Sequence, residues 1–183
     1  ANQPKLARLI SGTPLASLVN TLSEQPLLRA LGETMAGISA ERDVPPFARQ
    51  TFRQWFRERS WDANGPRVVL FADTLNTYHT PPPLQAAAQV LRATGHTVVV
   101  PQSQICCGRT YLSKGAVQQA QQQALRTVEA LYPYAERGLP IVGVEPSCIL
   151  TLRDEFLDLL PGEPRAETVA EQAGVESADE LRE

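Results

Sequence analysis

Arg67-Val68-Val69-Leu70-Phe71-Ala72 is the stretch that decides the fold. A short, nearly continuous run of β-branched and apolar residues is the pattern of a strand buried on both faces, which arises where helices cover a parallel sheet. Downstream, Thr80-Pro81 opens a helix whose face is Leu84, Ala87, Ala88 and Leu91 and which Gly95 closes. Thr97-Val98-Val99-Val100-Pro101 reads as a second strand and Pro140-Ile141-Val142-Gly143-Val144 as a third. Between them Ser113 is placed to cap a long helix with Ala116, Val117, Ala120, Ala124, Val128 and Leu131 on one face; Gln118, Gln121, Gln122 and Arg126 are its wet side. Strand alternating with helix is the βαβ arrangement of a parallel sheet.

Upstream, prolines punctuate short helices. Thr13-Pro14 places a cap before a first-turn proline, followed by Leu15, Leu18, Val19 and Leu22 on one face. A second piece starts at Pro26 with Leu27, Leu28, Leu31 and Met35. A third starts near Pro45-Pro46, with Phe52, Trp55 and Phe56 on one face and Arg49, Arg53 and Arg57 stepping along another. That basic stripe suits phosphate or RNA, but three arginines opposite an aromatic face are more ordinarily the solvated side of an amphipathic helix. Ser60 to Pro66 is a turn-rich boundary. The expected fold is α/β, a small Rossmann-like parallel sheet flanked by helices and preceded by a helical N-terminal segment. The expected divisions are residues 1–65 for that segment, 66–163 for the α/β domain and 164–183 for a C-terminal tail with two basic against six acidic residues.

Composition narrows the function. The 183 residues are 43% hydrophobic and 20% charged, ordinary for a globular chain. A net charge of -3 gives no broad basic field, so nucleic acid is not an expected partner. No apolar run has the length of a transmembrane helix and the N-terminus lacks a signal-peptide pattern, so a cytoplasmic protein is expected. The chain begins Ala1-Asn2-Gln3 and reads as one piece of something longer. Its three cysteines, Cys106, Cys107 and Cys148, are odd in number and two are adjacent, which does not make a disulfide framework.

In open parallel sheets functional groups gather at the carboxyl ends of the strands. The first strand ends at Asp73-Thr74-Leu75-Asn76-Thr77-Tyr78-His79, the second runs into Gln104-Ile105-Cys106-Cys107-Gly108-Arg109, and the third ends at Glu145-Pro146-Ser147-Cys148. All three sulfurs are thereby expected at one edge. A lone Cys148 reads as a small buried hydrophobe; two consecutive cysteines in a loop read more readily as ligands, with Gly108 free to take positive φ or let the backbone approach an inorganic centre. Ser147 is expected to cap the next helix, Ile149 to Leu157, setting Cys148 in the first turn where the dipole favours a thiolate; Arg109 acts in the same sense. Four ligands are the norm for iron–sulfur clusters and structural zinc, and only three sulfurs exist. Asp73 and His79 are the candidates for a fourth, against their ordinary roles of turn cap and backbone-bonded loop histidine; His96, at the start of the second strand, is expected at the opposite edge.

Cys106-Cys107-Gly108-Arg109 followed by Val144-Glu145-Pro146-Ser147-Cys148-Ile149-Leu150-Thr151-Leu152-Arg153-Asp154-Glu155 resembles the cysteine-rich CCG domain found in heterodisulfide reductase, in the iron–sulfur protein of glycolate oxidase and in the small component of anaerobic glycerol-3-phosphate dehydrogenase. Phe47 to Arg57 is similar to the stretch before this domain in fusion proteins that join an FAD-linked oxidase to ferredoxin-type and CCG modules and oxidise D-lactate, glycolate or D-2-hydroxyglutarate. The resemblance covers roughly residues 45 to 160. It implies an iron–sulfur cluster of the 4Fe-4S type, with Cys106, Cys107 and Cys148 as ligands and Asp73, His79 or a residue of a second CCG unit completing the shell. Gly108 and Arg109 would line that cofactor. Zinc at the same ligands, in a docking module without redox role, and a module whose thiols are free are the alternatives. The family carries a further early cysteine where this chain reads Asp73 to Tyr78, and nothing after Cys148 matches a second unit. The resemblance therefore implies partners: the flavin domain, which alone holds FAD, the ferredoxin-type domain, the second CCG unit and an electron acceptor. This chain would be part of an oxidoreductase, inactive alone, and peripheral at the inner membrane only through those partners.

Overall fold

The computed structural model describes residues 3–25, 34, 39 and 45–174. The helix read from Pro26 lies outside them, as does the chain after Gly174. The described residues form two compact units: Ser60–Thr74 with the chain from Pro83 onward, and the residues up to Arg59 with Leu75–Pro82.

The first unit is α/β. Strands β1 (Arg67–Leu70), β2 (Thr97–Val99) and β3 (Ile141–Val142) make a parallel sheet in the order β2-β1-β3. Val68 lies opposite Val98 and Val69 opposite both Val99 and Ile141. The central strand is the run that signalled the fold, and Val68, Val69 and Leu70 have no solvent exposure, as two covered faces require. Helix α5 (Pro82–Ala93) leads from β1 to β2 and buries Leu84, Ala88 and Leu91; it stops at Gly95, whose φ of 90° only glycine adopts easily. Helix α7 (Val117–Ala135) leads to β3 and buries Ala120, Ala124, Val128 and Leu131, with Gln118, Gln121, Gln122 and Arg126 in solvent. Ser113 does not cap it. The cap position is Ala116, and the Ser113 hydroxyl donates instead to the Arg109 carbonyl, because the short helix α6 (Arg109–Leu112) intervenes.

After β3 the chain is helical through residues 146–159: α8 (Pro146–Leu150), a π turn (Thr151–Glu155) and α9 (Phe156–Leu159). Ile149, Leu152 and Phe156 sit in the core beneath it. Gly143 makes this packing possible, since a Cβ there would lie 2.7 Å from Ile149 Cδ1. The described part of the acidic C-terminal stretch is helix α10 (Pro164–Gln172), with Ala166, Val169 and Ala170 buried. It brings Ala173 into a parallel bridge with Ile141, and the Gly174 amide donates to the Ile141 carbonyl.

The second unit is helical, and its first helix, α1 (Gln3–Ile10), has no counterpart in the sequence expectations. Thr13 closes that helix, donating to the Ile10 carbonyl, and Pro14 takes the cap position of α2 (Leu15–Ser23). On the face read from the spacing, Leu15, Leu18 and Leu22 are exposed, and so are Leu6 and Leu9 of α1, while Ala16 is the buried position of α2. Helix α3 (Phe52–Arg57) starts later than Pro45-Pro46 suggests, because Thr51 and Gln54 form a complete capping box. Phe52 and Trp55 are buried; Arg49 and Arg57 are exposed, whereas Arg53 is half-buried and burial lowers its pKa. The segment at residues 75–82 is held here by its backbone: the Tyr78 carbonyl accepts from the Ala48 amide at 2.8 Å and from the Ser11 hydroxyl at 2.7 Å. Helix α4 (Thr74–Tyr78) starts at the last residue of the first unit. Among the described residues no helix is long and apolar enough to cross a membrane.

Candidate functional site

The three cysteines lie beyond the carboxyl ends of β2 and β3. Cys107 Sγ is 2.9 Å from Cys148 Sγ, although 41 residues separate them. Two elements create this approach. The loop after β2 is pinned at the Cys106 carbonyl, which accepts from Thr127 Oγ1 at 2.8 Å and from Gln123 Nε2 at 3.3 Å, both on α7. Gly108 then turns the chain with a φ of 78° and starts α6. On the other side, Pro146 takes the first helical position, and Cys148 follows in the first turn, its amide donating to the Glu145 carbonyl at 3.0 Å. The first-turn placement of Cys148 is as expected, but Ser147 is not the cap. With the helix starting at Pro146, Ser147 lies inside it and donates to Glu145 Oε1 at 2.7 Å.

The adjacent pair, Cys106 and Cys107, has its own electrostatics. The hydrogen bond with Cys107, then burial, pushes the Cys106 thiol up; the Gly108 amide pulls the other way. For Cys107, the hydrogen bond with Cys106 lowers the pKa, but the one with Cys148 and burial outweigh it, and the thiol is pushed up to about 12. Burial and the neighbouring sulfurs disfavour the charged form of both thiols, and a cation beside them would oppose this. Arg109 does not supply that cation by its side chain. Its guanidinium pairs with Glu155, and what it offers Cys107 is its backbone N–H. Thr74 exerts a weaker pull on Cys106, and its hydroxyl oxygen is otherwise buried without a hydrogen-bond partner.

Asp73 lies in the same unit, just past β1, and is 2% exposed. His79 belongs to the other unit, where its Nδ1 is 3.0 Å from the Pro46 carbonyl and 3.2 Å from that of Pro45, and its ring lies against Phe47. His96 precedes β2 and its Nδ1 meets Thr94 Oγ1 at 3.1 Å. Among the described residues no set of three or more His, Cys, Asp or Glu side chains is gathered to hold a metal ion. Gln123 and Thr127 were not legible as site residues. Their only signal is a pair of hydrogen-bonding side chains four apart beside the buried alanines of α7.

Sulfur donors at two strand ends, a positive-φ glycine after the adjacent pair and a proline-started helix under the third form one constellation, and it has relatives. Residues 70–153 match the family model of the cysteine-rich domain, CCG. The CCG stretch thus runs from the end of β1 into the π turn and contains all three cysteines. One component of the anaerobic glycerol-3-phosphate dehydrogenase of Escherichia coli strain K12 is 28% identical over 151 residues, which cover 81% of this chain and 38% of that protein. Its counterpart in Escherichia coli O157:H7 aligns with the same figures. The chain therefore spans well under half the length of these curated relatives. No solved structure matches it.

Proposed function

We propose that this chain is an iron–sulfur electron-transfer module of a larger dehydrogenase. The observation that carries the reading is the meeting of Cys107 and Cys148 at 2.9 Å across 41 residues, with Cys106 beside them. Thiol sulfurs are the donors that iron–sulfur clusters take, and the backbone N–H groups of Gly108 and Arg109 face the Cys106 and Cys107 sulfurs, where they stabilise thiolates. The otherwise unpartnered Thr74 hydroxyl is a further donor for Cys106. The donor set fits as an incomplete one: Cys106, Cys107 and Cys148 would hold the group, with Asp73 of the same unit or a donor from a second CCG unit completing it. When bound, a cluster supplies one-electron transfer between a flavin and an acceptor. The chain's own part is to hold three sulfurs, two on the pinned loop after β2 and one in the first turn of α8, with Cys107 buried.

The finer reading is that the parent enzyme is an FAD-linked dehydrogenase of a small 2-hydroxy acid, its flavin, ferredoxin-type and second CCG parts being separate modules. It is supported by the likeness of Phe47 to Arg57 to the stretch before this domain in flavin-fused proteins. The Escherichia coli relatives carry the name of a glycerol-3-phosphate dehydrogenase component, which makes that substrate the competing assignment. A second reading, zinc or no metal at the same thiols in a docking module, is favoured by the exposed Leu6, Leu9, Leu15, Leu18 and Leu22. Anaerobic reconstitution with iron and sulfide, followed by metal analysis and visible absorption, separates these. Iron with a visible band, lost in Cys107→Ser and Cys148→Ser, is expected; zinc at equal stoichiometry, or no metal at all, would refute the redox reading.

A further inference from the structure

Cys107 and Cys148 are placed for chemistry with each other as well as with a metal. Their sulfurs are 2.9 Å apart, roughly 0.9 Å longer than the S–S bond of about 2.05 Å. Cys106 is disfavoured as a partner for Cys107, since adjacent cysteines bridge only with strain, and its backbone is tied to α7 by two hydrogen bonds at its carbonyl. The two candidates differ in access: Cys107 is 5% exposed, whereas Cys148 is only half-buried.

We propose that the metal-free chain forms a reversible Cys107–Cys148 disulfide, which closes the site to metal and shields two of its sulfurs from irreversible oxidation. The oxidant is a low-molecular-weight disulfide of the glutathione type. Cys148, the accessible thiol, gives its proton to solvent and attacks one sulfur of that disulfide; the S–S bond breaks, one small thiolate leaves, and a mixed disulfide remains on Cys148. Cys107 then loses its proton, attacks the Cys148 sulfur and displaces the second small thiolate. The two protein thiols give up two electrons and two protons, and the small disulfide takes them up as two thiols. A dithiol reverses both steps. A bonded pair has no thiolate left for iron or zinc, and neither sulfur can climb to sulfinic acid. The effect on metal uptake rests on the ligand reading above, whereas the disulfide itself does not.

The test uses the metal-free chain, incubated anaerobically with oxidised glutathione, alkylated and mapped by fragmentation mass spectrometry. The expected product is a Cys107–Cys148 linked peptide with Cys106 alone alkylated, and Cys107→Ser should instead retain glutathione on Cys148. Should that variant fail to fold, the wild-type map decides alone. A bond that includes Cys106, or three alkylated cysteines after full incubation, overturns the inference. In a second arm, reduced and oxidised chains are offered iron and sulfide. Uptake only by the reduced chain, restored to the oxidised one by a dithiol, is expected; equal and substantial uptake by both overturns the inference. A linked peptide in a chain that takes no iron even when reduced supports the disulfide and refutes the ligand reading.

Discussion

At Gly108 the backbone φ is 78°, and an added Cβ would meet Gln123 atoms only at an ordinary 3.4 Å. The cost of a side chain there is thus backbone strain rather than a clash. Gly108→Ala should lower stability by about 1–2 kcal/mol, read from the shift in a urea unfolding midpoint, and should weaken metal retention by turning the Gly108 and Arg109 amides from the sulfurs. Asp62 tests electrostatics away from the site. Its carboxylate accepts from the Asn64 amide and the Thr97 hydroxyl, and these, the amide first, hold it below its ordinary value of 3.8. A depressed folded value means that its contribution is present above the ordinary value and is lost as pH falls through the folded one. Wild type should therefore exceed Asp62→Asn in stability at neutral pH, and paired urea titrations should show the gap closing in acid; a gap independent of pH would refute this account. The cysteines were legible at this scale, because three sulfurs at strand ends have few ordinary explanations. Thr127 was not, since a threonine among helix alanines gives no hint of the Cys106 carbonyl it holds.

Between β3 and the helical residues 146–159 the packing is close enough that Gly143 and Ile149 act as a pair. Gly143→Ala should destabilise by about 1–3 kcal/mol through overpacking. Because the nearest offending atom is Ile149 Cδ1, which valine lacks, with Cγ1 at 2.9 Å behind it, the double variant with Ile149→Val should recover part of that loss. A double-mutant cycle by chemical denaturation measures the coupling, and strict additivity would contradict it. The π turn was not legible from Thr151 to Glu155, since one inserted residue alters no hydrophobic period that a short segment can reveal. Helix starts misled for a related reason. Proline permits a first turn without specifying one, so Pro45-Pro46 marks an extended approach, and the start is set by the reciprocal bonds of Thr51 and Gln54.

For the molecule as a whole, the α/β class followed from the run at β1, because five consecutive apolar residues, Val68 to Ala72, need cover on both faces. The helical unit was less legible. Spacing shows that Leu15, Leu18 and Leu22 share a side of α2, yet not whether anything in this chain covers that side, and Leu18 remains 56% exposed. Leu18→Glu should accordingly leave the unfolding free energy of the chain within about 0.5 kcal/mol; a loss of about 2 kcal/mol or more, the scale of a filled core position, would show the side to be covered. The path through residues 75–82 carries a broader consequence. These eight residues belong to the helical unit, although they run from just after β1 to the first residue of α5, elements of the other unit. The chain therefore enters the α/β unit, leaves it and enters again, so neither unit is a continuous cassette. Deleting residues 1–59 would remove the Ala48 and Ser11 groups that the Tyr78 carbonyl accepts from, and it would strand the 75–82 excursion without its partners. A chain break at residues 59 and 60 would therefore divide the helical unit, and an exchange that keeps this unit whole has to take residues 75–82 along with the leading helices.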